Sequence, residues 1–197
     1  MSQLIVDFIT SLDGYASAEG WPGWWGLESP GYLTWLDERP DRDYTLLMGA
    51  NTYRLMSGFA TAAETPKNEA EAMADLTRQQ KVVFSSTLEA PLSWANSELV
   101  RGDPLDVVAA MKSRGMNMST IGSLTLCRSL LEAGLVDLFR VGVFPVITGK
   151  TGRERIYDGY PDVMLDMVTS RTFDNRIQLL EYVPSVLAGP PGPRPAS

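Results

Sequence analysis

Histidine is missing from all 197 residues. That excludes Ser-His-Asp and Cys-His nucleophilic catalysis, and histidine-ligated zinc or iron with them. Acid–base work is left to carboxylates, tyrosine, lysine or water, and no metal site is expected. Cysteine occurs once, as Cys127. No internal disulfide can form, and on the apolar face of a helix this thiol reads as a small core hydrophobe. Basic charge is short too: 17 Lys and Arg stand against 24 Asp and Glu, for a net charge of −7. A chain so charged lacks the basic stripe that nucleic acid or an anionic membrane requires. No apolar run approaches the ~20 residues that cross a bilayer. Met1 to Thr10 lacks the basic start of a secretory leader, so the expected location is cytoplasmic.

What is present suits one globular domain: 44% apolar and 21% charged residues in a chain long enough to bury a core. The reading is a single domain over residues 1–186 and a Pro/Gly-rich tail over 187–197, which cannot hold helix or ladder. The organising stretch is central. Met118 to Ile121 reads as a buried strand that stops at Gly122, and Ser123 is placed to cap a helix. That helix carries Leu124, Cys127, Leu130 and Leu131 on one face and closes at Gly134. A second strand, Asp137 to Phe144, ends at Pro145 and a Gly149-Lys-Thr-Gly152 loop. Such a turn aims backbone N–H groups at an anion above the strand ends.

The same grammar recurs along the chain. Gln3 to Ile9 is a strand interrupted by Asp7, followed by the turn Thr10-Ser11-Leu-Asp13-Gly14-Tyr15. Tyr44 to Met48 leads to Gly49-Ala50-Asn51-Thr52, with Asn51 expected to cap a helix through about Ser57. Lys81 to Phe84 ends in the hydroxyls Ser85, Ser86 and Thr87. Four strands thus finish in small or hydroxyl residues, where open α/β sheets bind ligands. Between residues 20 and 26 lie three tryptophans and three glycines. Trp21, Trp24 and Trp25 fit either a staple over the core or an aromatic wall over a planar substrate. Ser29-Pro30 opens a helix to about Glu38, and Pro66 another to about Gln80. Asp103-Pro104 opens a third that stops at Gly115. Val163 to Phe173 and Arg176 to Val183 form a closing hairpin around Asp174-Asn175. No Gly-x-Gly-x-x-Gly or Walker loop exists, so phosphates would be shared among several turns.

In this order, Ser11-Leu-Asp13-Gly14-Tyr15, Leu47-Met-Gly49-Ala-Asn51-Thr52-Tyr53, Lys81-Val-Val-Phe-Ser85-Ser86-Thr87, Gly122-Ser123-Leu-Thr125-Leu126 and Phe144-Pro-Val-Ile-Thr-Gly149-Lys-Thr-Gly152 resemble the dihydrofolate-reductase-like fold. The resemblance is closer to its branch related to the reductase domain of riboflavin biosynthesis, and it covers residues 4 to 183. It implies a three-layer α/β sandwich: a mixed sheet with helices on both faces and a C-terminal antiparallel hairpin, usually dimeric. It also implies NADPH across the strand ends. Gly49, Asn51 and Thr52 would meet phosphate, and Gly122, Ser123, Thr125 and Leu126 the pyrophosphate. Ser85, Ser86 and Thr87 would lie near the 2′-phosphate, with Arg54 or Arg78 supplying charge. Ser11 to Gly14 would flank the nicotinamide. No Asp or Glu stands in Ser85-Ser86-Thr87 to claim ribose hydroxyls, which favours NADPH over NADH.

Two departures from the family pattern are Leu124, where a second glycine is common, and the absence of a clear carboxylate on the first helix. The expected reaction is hydride transfer to a C=N or C=O of a small heterocycle, pterin- or pyrimidine-like or a secondary-metabolite imine or hemiaminal. Asp13 is the candidate for handling the proton, its other reading being a turn-capping aspartate. Tyr15, Trp21, Trp24, Trp25 and Glu28 are the candidate substrate contacts. The alternative is a binding protein that kept the fold and lost turnover.

Overall fold

The computed structural model describes residues 2–21, 23, 25–61 and 67–192, with the backbone alone for 67–71. Among these residues ten strands and five helices follow one another: β1 (Leu4–Ser11), β2 (Tyr15–Ala18), α1 (Pro30–Glu38), β3 (Thr45–Gly49), α2 (Ala50–Thr61), α3 (Lys67–Arg78), β4 (Lys81–Phe84), β5 (Ser97–Val100), α4 (Pro104–Ser113), β6 (Met118–Thr120), α5 (Leu124–Glu132), β7 (Leu138–Phe144), β8 (Gly152–Arg155), β9 (Val163–Phe173) and β10 (Ile177–Val186). Eight strands form one mixed sheet in the order β5-β4-β3-β6-β1-β7-β10-β9. The first six are parallel, and β10 runs antiparallel to both β7 and β9. The expected hairpin is present, turning through Asp174 and Asn175, both at positive φ.

Strand alternation sorts the core onto two faces. Leu4, Val6 and Phe8 of β1 pack with Val108 and Met111 of α4 and with Leu126, Cys127, Leu130 and Leu131 of α5. On the other face Leu46, Met48 and Val83 lie beneath α2 and α3, and Tyr32 of α1 covers Phe144 and Ile177. The layers are the three anticipated. A small antiparallel ribbon, β2 with β8, stands apart from the main sheet. Its second strand follows a short 3₁₀ turn at Gly149–Thr151, where the sequence had suggested only a loop.

The helix starts differ from expectation in instructive ways. Asp103 does cap α4, accepting from the Leu105 N–H at 2.9 Å, a bond of about 1 kcal/mol. Asn51 lies inside the first turn of α2, which starts one residue earlier and runs four beyond Ser57. Ser29 makes no capping bond to its own helix. Instead Asp174, from the hairpin turn 143 residues away, accepts the Gly31 N–H at 2.8 Å, so the N-terminus of α1 has a carboxylate on its positive pole.

Beneath α1 the sheet carries charge. Asp7, Arg140 and Glu181 are register partners on β1, β7 and β10. Arg140, 4% exposed, donates two bonds to Asp41 at 2.8 and 2.9 Å, one to Asp7 at 3.1 Å and one to Glu181 at 2.8 Å. Arg39 joins through Asp7 at 2.9 Å, and both guanidinium groups lie over the Trp35 ring. Burial pushes the Asp41 carboxyl up, but the Arg140 fork and the charges of Arg140 and Arg39 outweigh it and hold the pKa below the usual value.

Candidate active site

Because β4, β3, β6, β1 and β7 are parallel, their carboxyl ends share one margin of the sheet. The four turns singled out in the sequence fall along it in the spatial order Ser85, Gly49, Gly122, Ser11. This is the crevice in which open α/β sheets place their ligands.

At the centre of the margin, two helix starts are sewn together. The Gly49 N–H donates to Ser123 Oγ at 2.9 Å, and that hydroxyl donates to Thr52 Oγ1, also at 2.9 Å. Ser123 was expected to cap its own helix. Its αL backbone, φ 62°, turns the hydroxyl toward the neighbouring turn, and α5 begins without a side-chain cap. The first amides of α5 therefore stay available, beside the start of α2, to an anion. Gly122, at φ +53°, lies where a Cβ would come within 3.1 Å of Thr52 Oγ1. A larger residue would push into this junction. Leu124 packs its side chain against the main core, leaving backbone on the outer side of the turn. Leu126 is buried in that core, so only its main chain can serve a ligand. Thr125 sits in the same first turn of α5.

Farther along, Ser85 Oγ accepts from the Thr87 and Leu88 N–H groups at 3.0 Å, a hydroxyl turn that shapes the loop after β4. Two arginines hold this loop. Arg54 donates to Thr87 Oγ1 at 3.3 Å and to Asn51 Oδ1 at 3.2 Å; Arg101 donates to the carbonyls of Ser86 and Leu88. Neither forms an ion pair among the described residues. Arg78 is excluded from the site. It ends α3, before β4 starts, and pairs with Asp75 at the opposite margin. Arg101 had no signal in the sequence beyond its place just after a short strand.

At the other end of the crevice, Asp13 accepts from Ser11 Oγ at 2.7 Å, from the Thr148 N–H at 3.1 Å and from the Gly149 N–H at 2.8 Å. Burial raises its pKa, but the Ser11 hydroxyl and the Gly149 and Thr148 amides outweigh that and bring it down to about 2. A carboxylate so held is ionised and acts as an acceptor at neutral pH. Through these three bonds Asp13 joins the loop after β1 to the loop after β7. Gly14 follows at φ +87°. Tyr15 opens the β2–β8 ribbon with the Arg155 guanidinium 5.3 Å above its ring.

The aromatic wall divides. Trp25 packs on Phe144 with ring centroids 5.6 Å apart, a staple on the α1-side core, yet its Nε1 is buried without a partner among the described residues. Trp21 is 56% exposed. Trp24 lies outside the described residues. Glu28, just before α1, has a buried Oε2 with no hydrogen-bond partner among the described residues, as does the Thr148 hydroxyl. Burial, reinforced by Asp7, pushes the Tyr32 hydroxyl on α1 far above its usual range; it comes close to Gly142 of β7.

Comparison with known proteins fits this arrangement. The chain is 25% identical over 185 residues to the uncharacterized protein YyaP of Bacillus subtilis (strain 168), covering 91% of this chain and 94% of that one. A putative riboflavin biosynthesis protein from Shewanella sp. PV-4 superposes with a TM-score of 0.69 at 20% identity, covering 93% of this chain and 99% of that chain. Dihydrofolate reductase from Enterococcus faecalis, complexed with NADP(H), superposes at 0.57 and 14% identity over 92% and 96% of the two chains. The family model of the RibD C-terminal domain matches residues 2–179. With its dihydrofolate-reductase-like sheet and nearly its whole length matched, the chain belongs to the RibD C-terminal domain family.

Proposed function

We propose that this protein is an NADPH-dependent reductase acting on a small pyrimidine- or pterin-like heterocycle, or on a metabolite of similar size carrying an imine or hemiaminal. The observation that carries the reading is the pair of helix starts joined by Ser123 at the middle of the strand-end crevice. The residues present fit the cofactor. The amides at the start of α5 and the Gly49–Thr52 turn, with Asn51, suit a diphosphate. Arg54 and Arg101, with no carboxylate partner among the described residues, and the acid-free Ser85-Ser86-Thr87 turn suit a further phosphate. When bound there, NADPH supplies the hydride.

The chain's part is placement and proton handling. Ser11, Asp13 and Gly14 shape the edge of the nicotinamide end. Trp25, Glu28 and Tyr15 face the substrate side, and Glu28, whose buried carboxylate oxygen lacks a partner among the described residues, is proposed to hold the substrate or its proton. The reading is tested by titrating protein fluorescence, reported by five tryptophans, with NADPH and NADH. Saturable quenching by NADPH and a far weaker response to NADH support it, and no response to either refutes it. The alternative of a non-catalytic binder draws on the acceptor-only geometry of Asp13; NADPH oxidation with any heterocyclic acceptor decides against it.

We also propose that the protein works as a homodimer. Strand β9 is an edge of the sheet and runs 11 residues. Met164, Leu165, Met167 and Val168 on it, and Val183 and Val186 on β10, are exposed. A long apolar edge of this kind is a liability in a monomer, and a second copy of the chain covers it.

A further inference from the structure

We propose that Asp13 is a positioning residue: its carboxylate clasps the loop after β7 to the loop after β1, and so fixes the distance between the two walls of the nicotinamide end of the crevice. The inference rests on the reductase reading for its kinetic consequences, but the clasp itself is a property of the free protein. One carboxylate receives three hydrogen bonds, one from its own loop and two from a loop that begins 135 residues farther along the chain. Both oxygens are engaged: Oδ1 takes the Ser11 hydroxyl and the Thr148 N–H, and Oδ2 takes the Gly149 N–H. The Ser11 hydroxyl in turn accepts from the Tyr15 N–H at 2.9 Å, so the same group sets the start of β2. Nearby, the Leu12 N–H donates to the Val146 carbonyl at 2.8 Å, and β2 pairs with β8 just beyond the 3₁₀ turn.

Thr148 makes no side-chain cap to that turn. Asp13 caps it from the other wall, presenting negative charge to backbone amides that would otherwise face the crevice. An uncharged acceptor loses the charge assistance, and an amide at Oδ2 turns a donor toward the Gly149 N–H.

The test is Asp13→Asn, read in two independent ways. In the ligand-free protein, hydrogen exchange at the Thr148 and Gly149 amides should speed up about 10- to 100-fold while β1 and β7 interior amides keep their protection. In steady state, KM for the heterocyclic substrate should rise at least about tenfold while kcat falls less than about threefold, with an unchanged pH–rate profile. A collapse of kcat at constant KM, with loss of one limb of the pH profile, would mark Asp13 as a proton carrier and overturn the proposal; unchanged exchange at both amides overturns it equally. If Asp13→Asn does not fold, Ser11→Ala removes one bond to the same carboxylate and should give the same two changes at smaller amplitude; unchanged exchange there counts against the clasp. Failure of the reductase reading would abolish turnover in every variant and leave the exchange result standing.

Discussion

Replacing Arg140 with methionine keeps much of its volume but removes the cation from a cluster that also holds Asp7, Asp41 and Glu181. The cost follows from burial. Asp41 is 3% exposed and receives both arms of the Arg140 fork, while Arg39 reaches it only at 3.6 Å. Breaking one partner out of a buried pair costs about 3–5 kcal/mol, because the other charge is left without compensation. At a urea m-value of about 2 kcal/mol/M, the unfolding midpoint should fall by roughly 1.5–2.5 M at pH 7.5.

The pH dependence carries the sharper test. In the native protein Asp41 titrates below its unfolded value. Its stabilisation is therefore complete above about pH 4 and is lost only as the pH falls through the depressed folded pKa. In Arg140→Met, desolvation dominates and the folded pKa of Asp41 lies above the unfolded one. The sign then reverses: the variant gains stability, relative to the parent, as the pH falls from 7.5 to 5. Adding Asp41→Asn to Arg140→Met should recover at least about half of the loss, since the stranded charge is gone. Urea melts of the three proteins at the two pH values make the measurement. A deficit below about 1 kcal/mol, or one that does not change with pH, would show that the cluster is solvated like a surface network.

Changing Arg54 or Arg101 to glutamine should weaken NADPH binding about 3- to 10-fold each and leave NADH affinity unchanged, as read by fluorescence titration. Gly122→Ala meets both a positive φ and the Thr52 hydroxyl at 3.1 Å; a loss of about 1–2 kcal/mol is expected, visible as a drop of roughly 2–8 °C in Tm. Met167→Lys with Val168→Lys should halve the solution mass measured by light scattering while circular dichroism stays the same.

The strands and the margin turns could be read from the chain because each joins a buried apolar run to a glycine or hydroxyl, as Leu47-Met-Gly49 and Thr120-Ile-Gly122 do. What escaped reading depends on partners distant in sequence. Ser123 looked like a local cap, yet its bonds go to Gly49 and Thr52. Lys81 looked like an ordinary first strand residue. It is 1% exposed because its ammonium donates to the Leu76, Thr77 and Gln79 carbonyls at the end of α3, over the Trp94 ring; burial draws its pKa down to about 8. Asp7 registered only as an interruption in a strand, since its partners come from residues 39 and 140. The β2–β8 ribbon gave no signal because four-residue strands of half-exposed residues show no alternation.

The carboxylate at the start of α1 comes from the turn of the final hairpin, and β10 of that hairpin inserts between β7 and β9. A chain growing from its amino end must therefore be made as far as Asp174 before the amino end of α1 receives this carboxylate. Fraying of the hairpin should therefore loosen the start of α1 before it disturbs the parallel strands of the sheet.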